Sequence, residues 1–216
     1  MCFLFPSYRG INEATMNKTI PDGVYPTLIT PYEENGRIDW NALETLIEWH
    51  IAHGVAGFFA VCQSSEMFHL TLRERLELAR MSIKFSRDRV PVLVSGHVAD
   101  TLYDQIEEAK MMTDTGADAL ILVTNRLARP YEGNDIFKRN LETFLTAFDR
   151  DILLGFYECP APYKRLLNAD LVQFIVETGR FGFLKDTSCR IGDMKAKIEA
   201  AKGSNFKLFN ANAATL

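Results

Sequence analysis

Short apolar runs alternate with amphipathic stretches along most of the chain. The runs are rich in Val, Ile, Leu and Phe and seldom alternate with polar residues, which is typical of strands buried on both faces of a parallel sheet. Seven strands are predicted on this basis: Val24–Thr30, Gly57–Cys62, Val90–Ser95, Ala117–Thr124, Ile152–Tyr157, Phe181–Lys185 and Phe206–Asn210.

The amphipathic stretches carry helix signals at their ends. Asp39 can cap the first helix, Thr71 and Glu74 can form a capping box, and Gly54 and Gly116 stand just past helix ends. The predicted helices are Asp39–His53, Thr71–Phe85, Asp100–Thr115, Asn134–Phe148, Asn168–Thr178 and Gly192–Ala201. Strand starts lie about 25 to 35 residues apart, which leaves room for one crossover helix in each repeated βαβ unit.

This repeat favours a closed barrel over an open sheet. An open doubly wound sheet usually has a glycine-rich phosphate loop after its first strand, whereas this chain has TPYEENG there. We therefore predict an α/β fold of the (βα)8 TIM-barrel type, truncated after the seventh strand because the sequence stops at ANAATL. The predicted barrel domain is 20–216, after a disordered extension over 1–19 in which Met16 is an alternative start to Met1.

Composition narrows the functional classes. The net charge is −4 and no long Lys/Arg run is present, so we expect no nucleic-acid partner. No apolar run approaches the roughly 18 residues that span a bilayer, so we expect no membrane partner. Four widely spaced cysteines without a CxxC pair favour free thiols and a cytoplasmic location.

Lys185 is the first candidate for chemistry. Active sites of β/α barrels lie at the carboxyl ends of the strands, and Lys185 ends the apolar strand FGFLK. Desolvation there would lower the pKa of the amine, and a neutral amine can form an imine with a carbonyl compound. The alternative is a lysine that pairs with the adjacent Asp186, and position alone leaves both interpretations open.

Two other strand ends carry polar groups suited to a keto acid. Tyr157 could move a proton to and from the reacting oxygen, or it could be a half-buried tyrosine at the rim. Ser64 and Ser65, in VCQSSE, could bind a carboxylate through hydroxyl and N–H groups, or they could simply cap a turn.

A metal centre is the less favoured interpretation of the remaining strand-end residues. Cysteine and histidine side chains suit zinc, but the residues concerned are isolated and lack metal-site spacing. They are Cys62, His97, Cys159 and Cys189. We expect no metal and no organic cofactor, because a lysine imine supplies its own electron sink.

Four motifs, in order and at these spacings, give the chain a family resemblance. Over about residues 20–216 it resembles the dihydrodipicolinate synthase/N-acetylneuraminate lyase family of Schiff-base class I aldolases. GVYPTLITPYEENGRID is similar to the first strand and loop, VCQSSE to GTTGE or GSTGE, YECP to YNxP, and FLKDTS to GIKEAT or GIKDSS. The resemblance implies Lys185 as the imine-forming lysine and Tyr157 as the proton-relay phenol. It also implies Ser64 as a ligand of the keto acid's carboxylate, with Ser65 and Gln63 nearby.

The activity implied is that of a lyase or aldolase that forms a Schiff base with pyruvate or a related small-molecule 2-keto acid. The family commonly assembles as dimers or tetramers, so a homo-oligomer is possible. An alternative is a dehydratase of a sugar-derived 2-keto acid that uses the same imine. A second alternative is a non-catalytic truncated paralogue that binds a small acid or a partner.

Departures from the family pattern argue against a true dihydrodipicolinate synthase. Ala161 and Pro162 follow YECP, where those enzymes have a serine and the arginine that grips the second substrate. Leu127 takes the place of their second relay tyrosine. An acidic co-substrate could instead be bound by a basic residue of the nearby loops, although a solvated surface charge is the favoured interpretation of each candidate. These candidates are Arg126, Lys164 and Arg165.

Overall fold

The computed structural model describes Thr15 and residues 19–215. Nearly all of the extension predicted over 1–19 therefore lies outside the described residues, as do both candidate start positions, Met1 and Met16. None of the described helices has the length and apolar character needed to cross a bilayer.

Six parallel strands form one curled sheet in which every neighbour in space is also the next strand in sequence. Together with the surrounding helices the sheet makes a half-barrel, which confirms the predicted TIM-barrel class. The strands are β1 Phe58–Ala60, β2 Val92–Val94, β3 Ala119–Val123, β4 Leu153–Tyr157, β5 Phe181–Asp186 and β6 Lys207–Asn210.

Six described helices alternate with the strands, and each predicted helix is confirmed within two residues at either end. Asp39 caps the first helix by accepting a hydrogen bond from Ala42 N at 2.9 Å. Thr71 and Glu74 form the predicted capping box at the second. The helices are α1 Trp40–Ala52, α2 Leu72–Ser86, α3 Leu102–Thr113, α4 Asn134–Ala147, α5 Ala169–Glu177 and α6 Ile191–Ala200.

The first predicted strand, Val24–Thr30, is only partly formed, so the prediction of seven strands is wrong by one. Its segment makes a single parallel bridge, between Thr27 and Phe59, and adds two backbone hydrogen bonds to β1. Pro26 and Pro31 have no N–H group to donate to a ladder. The segment is therefore extended and lies beside β1 without becoming a regular strand.

Side chains connect this first segment to β6 across the open side of the curl. The ammonium of Lys207 donates to Asp22 Oδ1 and to the carbonyl of Ile20, each at 2.7 Å. The rings of Tyr25 and Phe209 meet edge to face with centroids 5.2 Å apart. Contacts of this kind hold the curl together where no backbone ladder runs between the two segments.

Large aromatic side chains fill much of the space inside the curl. A Cβ atom on Gly155 would lie 2.2 Å from the Phe183 ring, so only glycine leaves room for that ring beside β4. On the outer face, Phe156 stacks on Phe181 at 4.6 Å. The interior still contains a cavity of about 650 Å³, which Phe59, Phe183 and Lys185 help to line.

Candidate active site

Lys185 and Tyr157 lie side by side at the carboxyl ends of β5 and β4. They are direct partners in the parallel ladder, so the sheet register itself places the two side chains together. The Lys185 Nζ atom is 4.5 Å from the centroid of the Tyr157 ring and 4.9 Å from that of the Phe59 ring. β1, β4 and β5 thus surround one amine with two aromatic rings.

Desolvation shifts the Lys185 amine toward its neutral form. Burial lowers the pKa of Lys185 below its ordinary value of 10.5, and the nearby Cys62 and Cys159 thiols oppose this only in part. The faces of the two rings act in the opposite direction to burial, since cation–π contacts stabilise the ammonium.

The alternative of an ion pair between Lys185 and Asp186 finds no support in the geometry. Within the part of the chain that the structure describes, Lys185 makes no salt bridge, and the Asp186 carboxylate binds Lys197 instead, at 2.5 Å. Successive strand residues point to opposite faces of a sheet. Asp186 is therefore directed away from the amine that precedes it.

Tyr157 is almost fully buried, with 6% of its surface exposed. Burial raises the pKa of Tyr157 well above its ordinary value, and the thiols of Cys159 and Cys62 raise it further. The Cys159 thiol also donates to Gln63 Oε1 at 3.2 Å. The phenol is therefore protonated near neutral pH, and polar groups extend from it toward Gln63.

The short turn Gln63–Ser65, which we call the serine turn, follows β1 and is fixed by buried contacts. The Ser65 hydroxyl donates to the Leu28 carbonyl at 2.5 Å and accepts from Cys62 N at 3.1 Å. Ser64, in contrast, is exposed and its hydroxyl makes no hydrogen bond within the described residues. Ser65 therefore stabilises the turn, whereas the Ser64 hydroxyl is available to bind a ligand.

Strained backbone accompanies this turn. Val61 has φ of 51° and Glu66 has φ of 61°, both in the left-handed region. A β-branched residue rarely adopts such a conformation, and strain of this kind clusters at functional sites. The sharp change of direction at Val61 lets the chain pass from β1 into the serine turn.

Three buried charged residues lie directly behind the Lys185–Tyr157 pair. Lys197, from α6, places its Nζ atom 2.5 Å from both Glu158 Oε1 and Asp186 Oδ2. None of the three side chains is more than 2% exposed. Burial raises the pKa of Glu158 despite the neighbouring ammonium. We call Glu158, Asp186 and Lys197 the buried charge cluster, which our sequence analysis did not anticipate.

The basic loop residues considered as ligands for an acidic co-substrate are engaged in bracing the loops. Arg126 donates to the carbonyl of Ala99 at 2.9 Å, Arg165 to that of Glu132 at 3.1 Å, and Lys164 to that of Thr187 at 2.9 Å. The interpretation as solvated surface charges is wrong for Arg126, whose side chain is 11% exposed. All three cations hold loops at the carboxyl ends of the strands.

Asn125 is a further loop residue that the sequence did not single out. Its amide nitrogen lies within hydrogen-bond distance of three carbonyl oxygens of the loop that follows β4: Cys159, Ala161 and Tyr163. This loop begins immediately after the tyrosine, so Asn125 helps to fix the mouth of the site.

The four residues considered for zinc do not form a ligand set. His97 is fully buried and its Nε2 atom accepts a hydrogen bond from Val123 N at 2.9 Å. Cys189 is exposed, whereas Cys62 and Cys159 are buried. Among the described residues no group of three potential metal-binding side chains converges.

Known proteins resemble this chain in both sequence and fold. A sequence profile of the dihydrodipicolinate synthetase family matches residues 20–211. The 4-hydroxy-tetrahydrodipicolinate synthase of Pseudoalteromonas atlantica is 28% identical over 173 residues, which are 80% of this chain and 57% of that enzyme. The corresponding enzyme of Shewanella sp. strain W3-18-1 is 27% identical over 195 residues, or 90% of this chain and 64% of that enzyme.

Solved structures agree with the sequence matches. A chloride-inhibited dihydrodipicolinate synthase from Acinetobacter baumannii, complexed with pyruvate, superposes with a TM-score of 0.79 at 26% identity. That alignment covers 89% of this chain and 64% of the other. A prophage protein of E. coli K12, also solved with pyruvate, has a TM-score of 0.77 at 23% identity and supports the fold alone.

The profile match covers most of the chain, and the half-barrel fold agrees with it. The chain belongs to the dihydrodipicolinate synthetase family. It spans 57% and 64% of the length of the two curated synthases named above.

Proposed function

We propose that this chain is a lyase or aldolase that forms a Schiff base between Lys185 and pyruvate or a related 2-keto acid. The observation that carries the proposal is the half-buried Lys185 amine, held 4.5 Å from the ring centre of Tyr157 and with its pKa lowered by desolvation. The pyruvate complex of the Acinetobacter relative supports the choice of keto acid.

The chemistry begins with attack of the neutral Lys185 amine on the keto carbon, which gives a carbinolamine. Tyr157, protonated at neutral pH, donates a proton to the departing hydroxyl, so that water leaves and the C=N bond forms. The protonated imine withdraws electrons, and transfer of a proton from the adjacent carbon to the Tyr157 phenolate gives an enamine and restores the phenol. The enamine can then attack an aldehyde carbon, or the same steps can run in reverse.

Carboxylate binding is assigned to the serine turn. Ser64 is exposed in the turn that follows β1, and its hydroxyl can donate a hydrogen bond to the keto acid. Gln63 contacts Cys159 next to Tyr157, and Ser65 keeps the turn in place. A carboxylate held there would orient the keto carbon toward the lysine.

Trapping with borohydride tests the proposal. The protein is incubated with saturating pyruvate and sodium borohydride, and the intact mass and the modified peptide are then determined. A reduced pyruvate adduct on Lys185 is expected. Absence of an adduct on the folded protein would favour a non-catalytic binding protein. Assays with candidate aldehydes and with sugar-derived 2-keto acids then distinguish an aldolase from a dehydratase.

Tyr157→Phe should slow imine formation without abolishing it. We expect the rate constant for trapping to fall about 10²-fold, since a positioned proton donor is lost while the amine remains. Quenched-flow mass spectrometry measures the rate, and the modified residue should still be Lys185. An unchanged rate would exclude the phenol from the proton transfer.

Alanine at each serine separates binding from structure. Ser64→Ala should raise the half-saturating pyruvate concentration about tenfold, through loss of one hydrogen bond to a charged group, and leave stability unchanged. Ser65→Ala should instead cost about 1–3 kcal/mol of unfolding free energy, because buried backbone groups lose their partner. Trapping titrations and urea denaturation measure the two effects. The opposite pattern would reverse the assigned roles.

A further inference from the structure

The buried charge cluster is built on the residues that immediately follow the reacting pair. Glu158 comes directly after Tyr157, and Asp186 directly after Lys185. Because side chains alternate between the faces of a sheet, Tyr157 and Lys185 face the interior while their neighbours face the helix layer. There the Lys197 ammonium bridges the two carboxylates, with 2.5 Å to each.

Further hydrogen bonds extend the cluster into the backbone at both strand ends. Glu158 Oε2 accepts from Thr187 N at 2.9 Å, and Glu158 Oε1 accepts from Leu167 N at 2.8 Å. The Thr187 hydroxyl donates to the Glu158 carbonyl at 2.7 Å. Asp186 Oδ1 accepts from Ser188 N at 2.9 Å. The ends of β4 and β5 are thereby joined beyond the last rung of the ladder.

Stability alone is a weak reason for such an arrangement. Burying charges carries a desolvation penalty that their attraction often fails to exceed, and well-packed apolar residues of similar volume would serve as well. Two carboxylates also share a single ammonium, which leaves their charges incompletely balanced. What charged hydrogen bonds provide, and apolar packing does not, is a defined direction and distance for each group.

We propose that Lys197 is a positioning residue, which clamps the carboxylates of Glu158 and Asp186 and so holds the Lys185 amine against the Tyr157 ring. The effect of this clamp on turnover rests on the proposed function. Its effect on the position of the Lys185 amine does not. Loosening the clamp lets the strand ends separate and water reach the amine, and a misplacement of about 1 Å can cost a hundredfold in rate.

The test measures Lys185 directly, whether or not the protein reacts with pyruvate. Competitive labelling with acetic anhydride across pH, with peptide mapping by mass spectrometry, gives the pKa of this one amine. In folded Lys197→Met the pKa of Lys185 should move up toward 10.5, and pyruvate trapping should slow about tenfold or more. Lys202→Met, which removes an exposed lysine just after the same helix, is the matched control and should change neither quantity.

Glu158→Gln keeps the proposal testable if Lys197→Met does not fold, and it separates placement from charge. Loss of a nearby negative charge alone would lower the pKa of Lys185, whereas loss of the clamp raises it, and we expect a rise. An unchanged or lower pKa in this variant overturns the proposal. If the unaltered protein gives no pyruvate adduct but the variants raise the pKa of Lys185, the proposed function fails while the clamp stands.

Discussion

Lys185→Met should abolish the pyruvate adduct and reduce any imine-dependent turnover at least about 10³-fold, since no other group supplies the electron sink. Methionine retains the length and apolar body of the lysine stem between the Phe59 and Tyr157 rings, so the fold should persist. Circular dichroism checks folding, and intact-mass analysis after borohydride treatment checks the adduct.

The pH dependence of trapping in the unaltered protein tests whether the neutral amine is the nucleophile. Only the neutral amine attacks, so the rate of imine formation should rise with pH and level off above the pKa of Lys185. Because burial lowers that pKa, the midpoint should lie below 10.5. Lys202→Met should behave as the unaltered protein does. Adduct formation that persists in Lys185→Met would assign the nucleophile to another lysine.

Lys197→Met should destabilise the fold by about 3–5 kcal/mol, because it leaves two buried carboxylates without their shared cation. The loss should grow as the pH rises above 4.5, the ordinary pKa of a glutamate carboxyl, because burial raises the pKa of Glu158 and its charge would then repel the nearby Asp186 with no cation between them. Protonation at low pH removes that repulsion and reduces the difference from the unaltered protein. Urea denaturation at several pH values measures the free energy of unfolding.

A neutral version of the same cluster provides the control. Glu158→Gln, Asp186→Asn and Lys197→Met combined retain the volumes and remove all three charges. We expect this triple variant to regain most of the stability and to lose the pH dependence that the single variant shows. Equal destabilisation of both variants at every pH would mean that the cost arises from packing around the substituted side chain on α6 rather than from unpaired charge.

The regular elements follow from local sequence signals. Asp39, Thr71 and Glu74 act within one turn of a helix, so their caps could be predicted without knowledge of the fold. Val24–Thr30 was less predictable, because its apolar pattern indicates burial, whereas Pro26 and the following Pro31 limit ladder formation. A continuous strand was therefore expected where a single bridge is found.

The site was only partly predictable. Lys185 and Tyr157 could be nominated because strand ends converge in a barrel, but only the ladder register shows that they are direct partners. Lys197 lies 39 residues from Glu158 on a predicted helix, where a lysine is expected to face solvent. Which charges of a helix are buried depends on the packing of that helix, and one sequence does not contain that information.

The β6 edge of the sheet could pair with a strand of a second molecule. Among the described strands β6 pairs only with β5, so one side of its backbone offers unpaired donors and acceptors. Strands of this kind invite association with a second molecule, and proteins oppose it with short edge strands and charged lysines. β6 has four residues and begins with Lys207, whose ammonium is tied to Asp22. Concentrated salt would weaken that ion pair. The resistance of the protein to self-association should therefore depend on ionic strength more than the stability of its buried core does.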